Sequence, residues 1–274
     1  MVTRGLWNEK PVFFGICRDI SERLEYERLI EEELKKLMQL DKIRKDLISR
    51  VSHELKTPLM NIRGATELMT DFYGEKLTEE LKELVQIIKK GESRLEYLVN
   101  NLLDISRIQY KKLTINRKPT NITKLIKDCC QDMKSFIRKR NINLKLNLYE
   151  DLIINVDKGR IEQVIKNLIS NAIKNSPPDE EIEIITKKSD ELLEIMVDDN
   201  GVGLTQEEKK KLFKRFGKIE RYEKGLEYLN IQGSGLGLYI SKKIIDLHNG
   251  SIIAKSDGRN KGATFVIQIP IKNI

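Results

Sequence analysis

Leu24, Leu34, Leu37, Ile43, Leu47, Val51 and Leu55 recur at steps of three or four residues or their multiples. From Ser21 to about Phe72 only Pro58 and Gly64 interrupt the chain. The spacing predicts one long amphipathic helix with a coiled-coil-like seam. Ser21 is the expected cap, with Glu22 favouring the N-terminal dipole. Tyr73-Gly74-Glu75 breaks the pattern, and a second helix is expected from about Thr78 to Tyr110. Leu81, Leu84, Val85, Ile88, Leu95, Leu98, Leu102 and Ile105 lie along one side of it. Two long helices joined by a short turn make a helical hairpin. Each stripe is too wide for the hairpin alone to cover, so two hairpins are expected to pair as a four-helix bundle in a homodimer.

The character changes after Lys118-Pro119. A helix over 121–139 is followed by Ile142, Leu144, Leu146 and Leu148, whose strict alternation predicts a half-buried strand. Further strands are expected at 152–156, 181–187, 192–198, 251–256 and 263–269, and helices at 158–176 and 235–248. This mixture predicts an α/β two-layer sandwich with an antiparallel sheet. The fold class is therefore α+β: a helical-hairpin dimerisation domain, then a sandwich. The expected divisions are 1–20 (strand-like), 21–44 (linking helix), 45–112 (hairpin) and 119–274 (sandwich).

Composition narrows the class. The 274 residues are 39% hydrophobic and 34% charged, a charge-rich globular balance. No apolar run approaches the roughly 20 residues of a membrane span, and Met1–Ile20 has no continuous apolar core of a signal peptide. A cytoplasmic protein without membrane insertion is expected. The net charge of +8 comes from Lys and Arg interleaved with Glu and Asp. That reads as solvated helix faces, with no nucleic-acid recognition motif beside it. Cys17, Cys129 and Cys130 show neither disulfide nor zinc spacing.

The chain has two histidines. His248, just before Asn249-Gly250, is expected to cap or pack a helix end. His53 lies in Ser52-His53-Glu54-Leu55-Lys56-Thr57-Pro58-Leu59. Pro58 cannot donate to the carbonyl of Glu54, so a bend is expected just past the histidine. Thr57 falls on the same helical face as His53. A carboxylate near one ring nitrogen would hold that N–H and leave the other nitrogen as nucleophile.

Three further motifs follow in order. Asn167 and Asn171 share a helix face, and asparagine carbonyls suit magnesium that also holds phosphates; they could equally be two exposed polar positions. Asp199-Asn200-Gly201-Val202-Gly203 ends an apolar strand, where a carboxylate can accept from an adenine amino group, or simply end the strand in a turn. Gly233-Ser234-Gly235-Leu236-Gly237 opens a helix, where backbone can approach phosphate. It is no Walker motif, since no Gly-Lys-Ser/Thr follows.

Residues 52–59 resemble the phosphoacceptor box of histidine kinases. The resemblance implies that His53 is phosphorylated, that Glu54 is the acid/base beside it, and that Glu54 and Thr57 serve a phosphatase pattern. Residues 120–274 resemble the ATP-binding domain shared by histidine kinases, gyrase, the Hsp90 chaperone and the MutL repair protein. By that resemblance Asn167 and Asn171 match the N box and would hold Mg2+. Asp199, Gly201 and Gly203 match the first glycine box, and Gly233, Gly235 and Gly237 the second. Leu212-Phe213-Lys214-Arg215-Phe216 matches the F box of a lid over about 204–232, and Gly262-Ala263-Thr264-Phe265 the last box. Lys174, Arg215 and Thr264 are implied nucleotide contacts. Asn175 stands where many relatives carry Tyr or Phe. Residues 15–23 resemble the exit of a PAS sensory domain. The implied activity is a sensor histidine kinase: ATP and Mg2+ are used to phosphorylate His53, then the phosphoryl group passes to an aspartate of a response regulator on another chain. The alternatives are a different ATPase of this fold, a degenerate dimeric scaffold, and a protein acting mainly as a phosphatase.

Overall fold

The computed structural model describes residues 2–15, 19, 21–110, 112–217 and 234–271. The chain divides into two units, Met1–Glu54 and Leu55–Ile274.

The first unit opens with an antiparallel hairpin of β1 (Val2–Trp7) and β2 (Lys10–Gly15). Its two-residue turn, Asn8-Glu9, has φ of 51° and 60°, the sign that hairpin turns matching strand twist demand. The PAS-like stretch 15–23 falls partly on residues outside those described. Helix α1 (Ser21–Tyr73) begins in this unit and continues into the second. The acceptor at its start is Asp19, whose Oδ1 takes the Ser21 N–H at 2.9 Å, rather than the expected Ser21 side chain. Pro58 lies inside α1 without ending it.

In the second unit α2 (Glu79–Gln109) starts at Thr78, whose Oγ1 accepts from Leu81 N. It runs back along the later part of α1. Arg63 pairs with Glu92 at 2.8 Å and also with Glu96, and Lys89 donates to Thr70.

The sandwich follows. Its elements are β3 (Lys118–Asn121), α3 (Ile122–Asp132), α4 (Lys134–Lys139), β4 (Asn143–Asn147), β5 (Ile153–Val156), α5 (Lys158–Asn175), β6 (Glu181–Lys188), β7 (Leu192–Asp199), α6 (Gln206–Lys211), α7 (Gly237–Leu247), β8 (Ser251–Lys255) and β9 (Ala263–Pro270). The main sheet has order β4-β6-β7-β9-β8, and β3 pairs with β5 apart from it. The sheet is mixed rather than antiparallel: β4 lies parallel to β6. The connection between them carries α5, and a crossover of that length is what parallel neighbours require. The expected helix 121–139 is two helices, parting at Met133.

One sheet face and three helices enclose the core. Ile182, Ile184, Leu193, Ile195, Val197, Phe265 and Ile267 alternate inward along β6, β7 and β9. Ile126, Val164, Leu168, Ile169, Ile240 and Ile244 meet them from α3, α5 and α7. Each such burial contributes about 1.5–3 kcal/mol. Leu146, the third position of the predicted alternation, stays exposed because β4 is an edge strand. Cys129 and Cys130 are buried free thiols, pushed up to about 12 and about 11, chiefly by desolvation.

The end of α2 is tied to α5. Buried Asp104 accepts from Arg160 Nη1 at 2.9 Å on both oxygens and from Gln163 Nε2 at 2.9 Å.

Candidate functional site

On α1, His53 and Glu54 extend into solvent, with side chains 82% and 84% exposed. His53 Nδ1 lies 4.0 Å from Glu54 Oε1, close enough for Coulomb attraction but beyond hydrogen-bond range. Nδ1 thus faces the carboxylate and Nε2 is the ring nitrogen turned away from it. Thr57 is also exposed, while Ser52, just before His53, is fully buried, with no partner for its hydroxyl among the described residues.

The second constellation is built around α5. Asp157 caps the helix, accepting from Arg160 N at 3.1 Å. Asn167 Nδ2 donates to Ser241 Oγ on α7 at 3.0 Å, which leaves Oδ1 as its end for a cation. A Cβ on Gly237 would sit 2.3 Å from that Oδ1, so a larger residue there would push the Asn167 amide aside. Asn171, one turn further on, is half-buried, and its backbone carbonyl accepts from Asn175 Nδ2 at 2.7 Å.

Asp199 ends β7 and is buried, taking the Gly201 N–H at 3.0 Å. The glycine loop after it is held from two sides. Val202 N donates to Asn175 O on α5, while Gly262 N and Asn260 N donate to Gly201 O and Val202 O. A Cβ at Gly201 would lie 2.4 Å from Asn175 O. Gly203 has φ of +66° and backs onto Gly258 O. Asn175, read in sequence as a missing aromatic, therefore serves the site through its backbone.

Gly235 also has φ of +66°, and α7 begins without a side-chain cap. Among the described residues its first N–H groups therefore have no capping side chain, as suits an anion. Arg215 is half-buried and its Nε is buried with no partner among the described residues. Lys174 is exposed over its surface, although crowding around the ammonium group lowers its pKa by desolvation. Gly233 and most of the expected lid lie outside the described residues. Thr264 is not brought to this side: it pairs with Asp198 across the strands, and its hydroxyl donates to Asp198 Oδ1 at 2.5 Å. Asp199 pairs with Ala263, and successive side chains on a strand point to opposite faces.

Residues 43–111 match the model of the His Kinase A (phospho-acceptor) domain, and residues 156–273 that of the histidine kinase-, DNA gyrase B- and HSP90-like ATPase. The chain is 33% identical over 231 residues to the sensor protein SrrB of Staphylococcus aureus, covering 84% of this chain and 39% of that one. The catalytic domain of histidine kinase ThkA is 30% identical, with 99% of it and 58% of this chain covered at a TM-score of 0.50. The chain belongs to the histidine kinases. ThkA in complex with the response regulator protein TrrA covers 96% of this kinase chain at 27% identity and a TM-score of 0.53, over 69% of its own length. Full-length ShkA in complex with AMPPNP shares the fold at 22% identity and a TM-score of 0.65, covering 84% of this chain and 46% of its own. The kinase chain thus spans about two fifths of the length of the S. aureus relatives.

Within this histidine kinase, sequence reasoning missed Ser241, Ser256 and Arg259. Ser256 Oγ takes the Leu204 N–H at 2.9 Å and donates to Gly262 O at 2.6 Å, bracing the glycine loop from the β8–β9 connection. A serine 52 residues from its partner leaves no local signal. No helix among the described residues is long and apolar enough to cross a membrane.

Proposed function

We propose that this chain binds ATP with Mg2+, phosphorylates His53, and passes the phosphoryl group to an aspartate of a response regulator. The reading is carried by one combination: an exposed histidine on a helix matching the phospho-acceptor model, in the same chain as a glycine cradle that leaves no room for side chains. The residues fit a nucleotide. Asp199 would receive the adenine amino group at the strand end, and Gly201 and Gly203 let the base approach. Arg215 Nε, the uncapped start of α7, and Gly235 and Gly237 would take the phosphates, with Gly233 and Lys174 assigned beside them by motif. Asn171 and Asn167 Oδ1 would hold magnesium, which when bound neutralises phosphate charge. In the reaction His53 Nε2 forms a bond to the γ-phosphorus, the bond from that phosphorus to the β–γ bridging oxygen breaks, and ADP leaves. Glu54 attracts the positive charge that develops on the imidazole and accepts its proton. Positioning and charge stabilisation supply most of the rate.

Two chains are expected to pair through the apolar seam of α1. Leu37 and Leu47, each 60% exposed, are the kind of surface a second copy covers. By this reading 45–112 is the dimerisation and phosphotransfer domain, 119–274 the ATP-binding domain, 21–44 the connecting helix, and 1–20 the tail of a sensory module. Glu54 and Thr57, both exposed on α1, also suit hydrolysis of the partner's phospho-aspartate.

The test is incubation with labelled ATP and Mg2+ beside a His53→Gln variant. Acid-labile, base-stable label on wild type alone is expected. Label surviving the substitution would mean a different acceptor. Bound ATP without label would favour the phosphatase or scaffold readings.

A further inference from the structure

Beside the glycine loop lies a charge pair with no role so far. The Thr205 side chain accepts from Glu208 N while Glu208 Oε2 accepts from Thr205 N at 2.8 Å, a capping box that starts α6. The same carboxylate takes two bonds from Arg259, Nη1 to Oε2 at 3.0 Å and Nη2 to Oε1 at 2.9 Å. The side chains are only 29% and 13% exposed, for Arg259 and Glu208. Arg259 belongs to the connection between β8 and β9, and its backbone bridges Gly203. Lys209 adds a bond to Ser256 O in the same connection. A two-pronged Arg–carboxylate pair fixes orientation as well as distance.

The consequence lies in what α6 leads to. It runs directly into Leu212–Phe216, where Phe213 packs against the core and Arg215 carries an Nε with no partner among the described residues. We infer that Arg259 and Glu208 are positioning residues for ATP: together they hold α6, and through it Phe213 and Arg215, in register with the Gly201–Gly203 loop. The inference rests on the nucleotide reading above. Without the pair, α6 samples orientations that carry Arg215 away, and apparent affinity falls with the fraction of molecules in the competent arrangement.

The experiment compares wild type with Arg259→Gln, Glu208→Gln and the double variant. Glutamine at 208 can still serve the capping box, so the helix start survives while the charge goes. ATP affinity, KM and kcat of autophosphorylation, and melting temperature are measured for each. Each single variant is expected to raise Kd and KM for ATP about tenfold, with kcat changed less than about threefold and melting temperature nearly constant. The double variant should be no worse than the worse single one, because the two residues act as a unit. Unchanged KM in both singles, or kcat and melting temperature falling together, would overturn the inference. Additive losses in the double variant would overturn the pairing. Wild type that binds no ATP would sink the nucleotide reading itself, an outcome distinct from wild type and variants binding equally well.

Discussion

Along α1, Leu24, Leu34, Leu37, Ile43 and Leu47 are exposed, whereas Val164, Leu168, Ile169 and Ile244 of the sandwich helices are sealed. Both sets follow helical spacing. The sandwich helices find a sheet within their own unit, whereas the apolar positions of α1 over residues 21–47 stand exposed among the described residues. Amphipathic periodicity therefore predicts a buried face without saying whose surface will bury it. The sandwich should be stable as a single chain, and the seam of α1 should depend on a second copy.

Leu168→Ala tests the sealed side most severely. Its side chain is fully buried, so a cavity is unavoidable, and a loss of about 2–5 kcal/mol is expected in denaturant melts. The tie between α2 and α5 comes next. Asp104→Ala removes the acceptor of Arg160 and Gln163 and should cost about 1–3 kcal/mol; Arg160→Ala made together with it should add less than its separate effect. On the exposed side, Leu47→Ala should leave the melt of the sandwich within about 0.5 kcal/mol. It should instead weaken self-association, read by sedimentation at falling concentration. A Leu47→Ala protein that melts like Leu168→Ala would erase the contrast.

The sequence disclosed helices better than pairings. The spans of α1 and α2 follow from apolar spacing and from Thr78, because those signals lie within a few residues of what they control. The parallel alignment of β4 with β6, and the existence of β3, depend on partners more than thirty residues away. The site divides in the same manner. Gly201 is legible as a glycine position because the Asn175 carbonyl approaches it closely. The bond from Thr264 to Asp198 is not legible, because it depends on register, which sequence does not display. Ser256, Arg259 and the carbonyl of Asn175 escaped notice because any residue type with the right reach could serve there. Asn249 and Asn260 adopt positive φ of 59° and 55°, positions a reader expects glycine to fill.

The two histidines repeat the contrast on the scale of one side chain, and they yield the smallest effect. His53 stands in solvent, while His248 is buried at the end of α7. Its Nδ1 donates to Ile244 O at 2.8 Å, and its Nε2 accepts from Asp157 N at 3.0 Å. That pair of bonds fixes the neutral tautomer. Desolvation draws its pKa below the ordinary 6.5, and Arg117 reinforces the shift, while the Ile244 carbonyl and Asp157 oppose it. Protonation would place hydrogen on the nitrogen that now accepts. The unfolded chain therefore binds the proton more readily, and stability is complete above pH 6.5, falling as pH drops toward the lowered folded value. The slope for one such group cannot exceed about 1.4 kcal/mol per pH unit. Asp157 acts in a separate, more acid window. Desolvation raises its pKa, but N–H donors from Asn116 and Arg160 outweigh that and hold it below 3.8, so its contribution is lost only as pH falls past that region. Melts at pH 7.5, 6.5 and 5.5 should thus show a decline in wild type that is flattened in His248→Gln. An equal slope in both would mean that the buried imidazole does not sense acid.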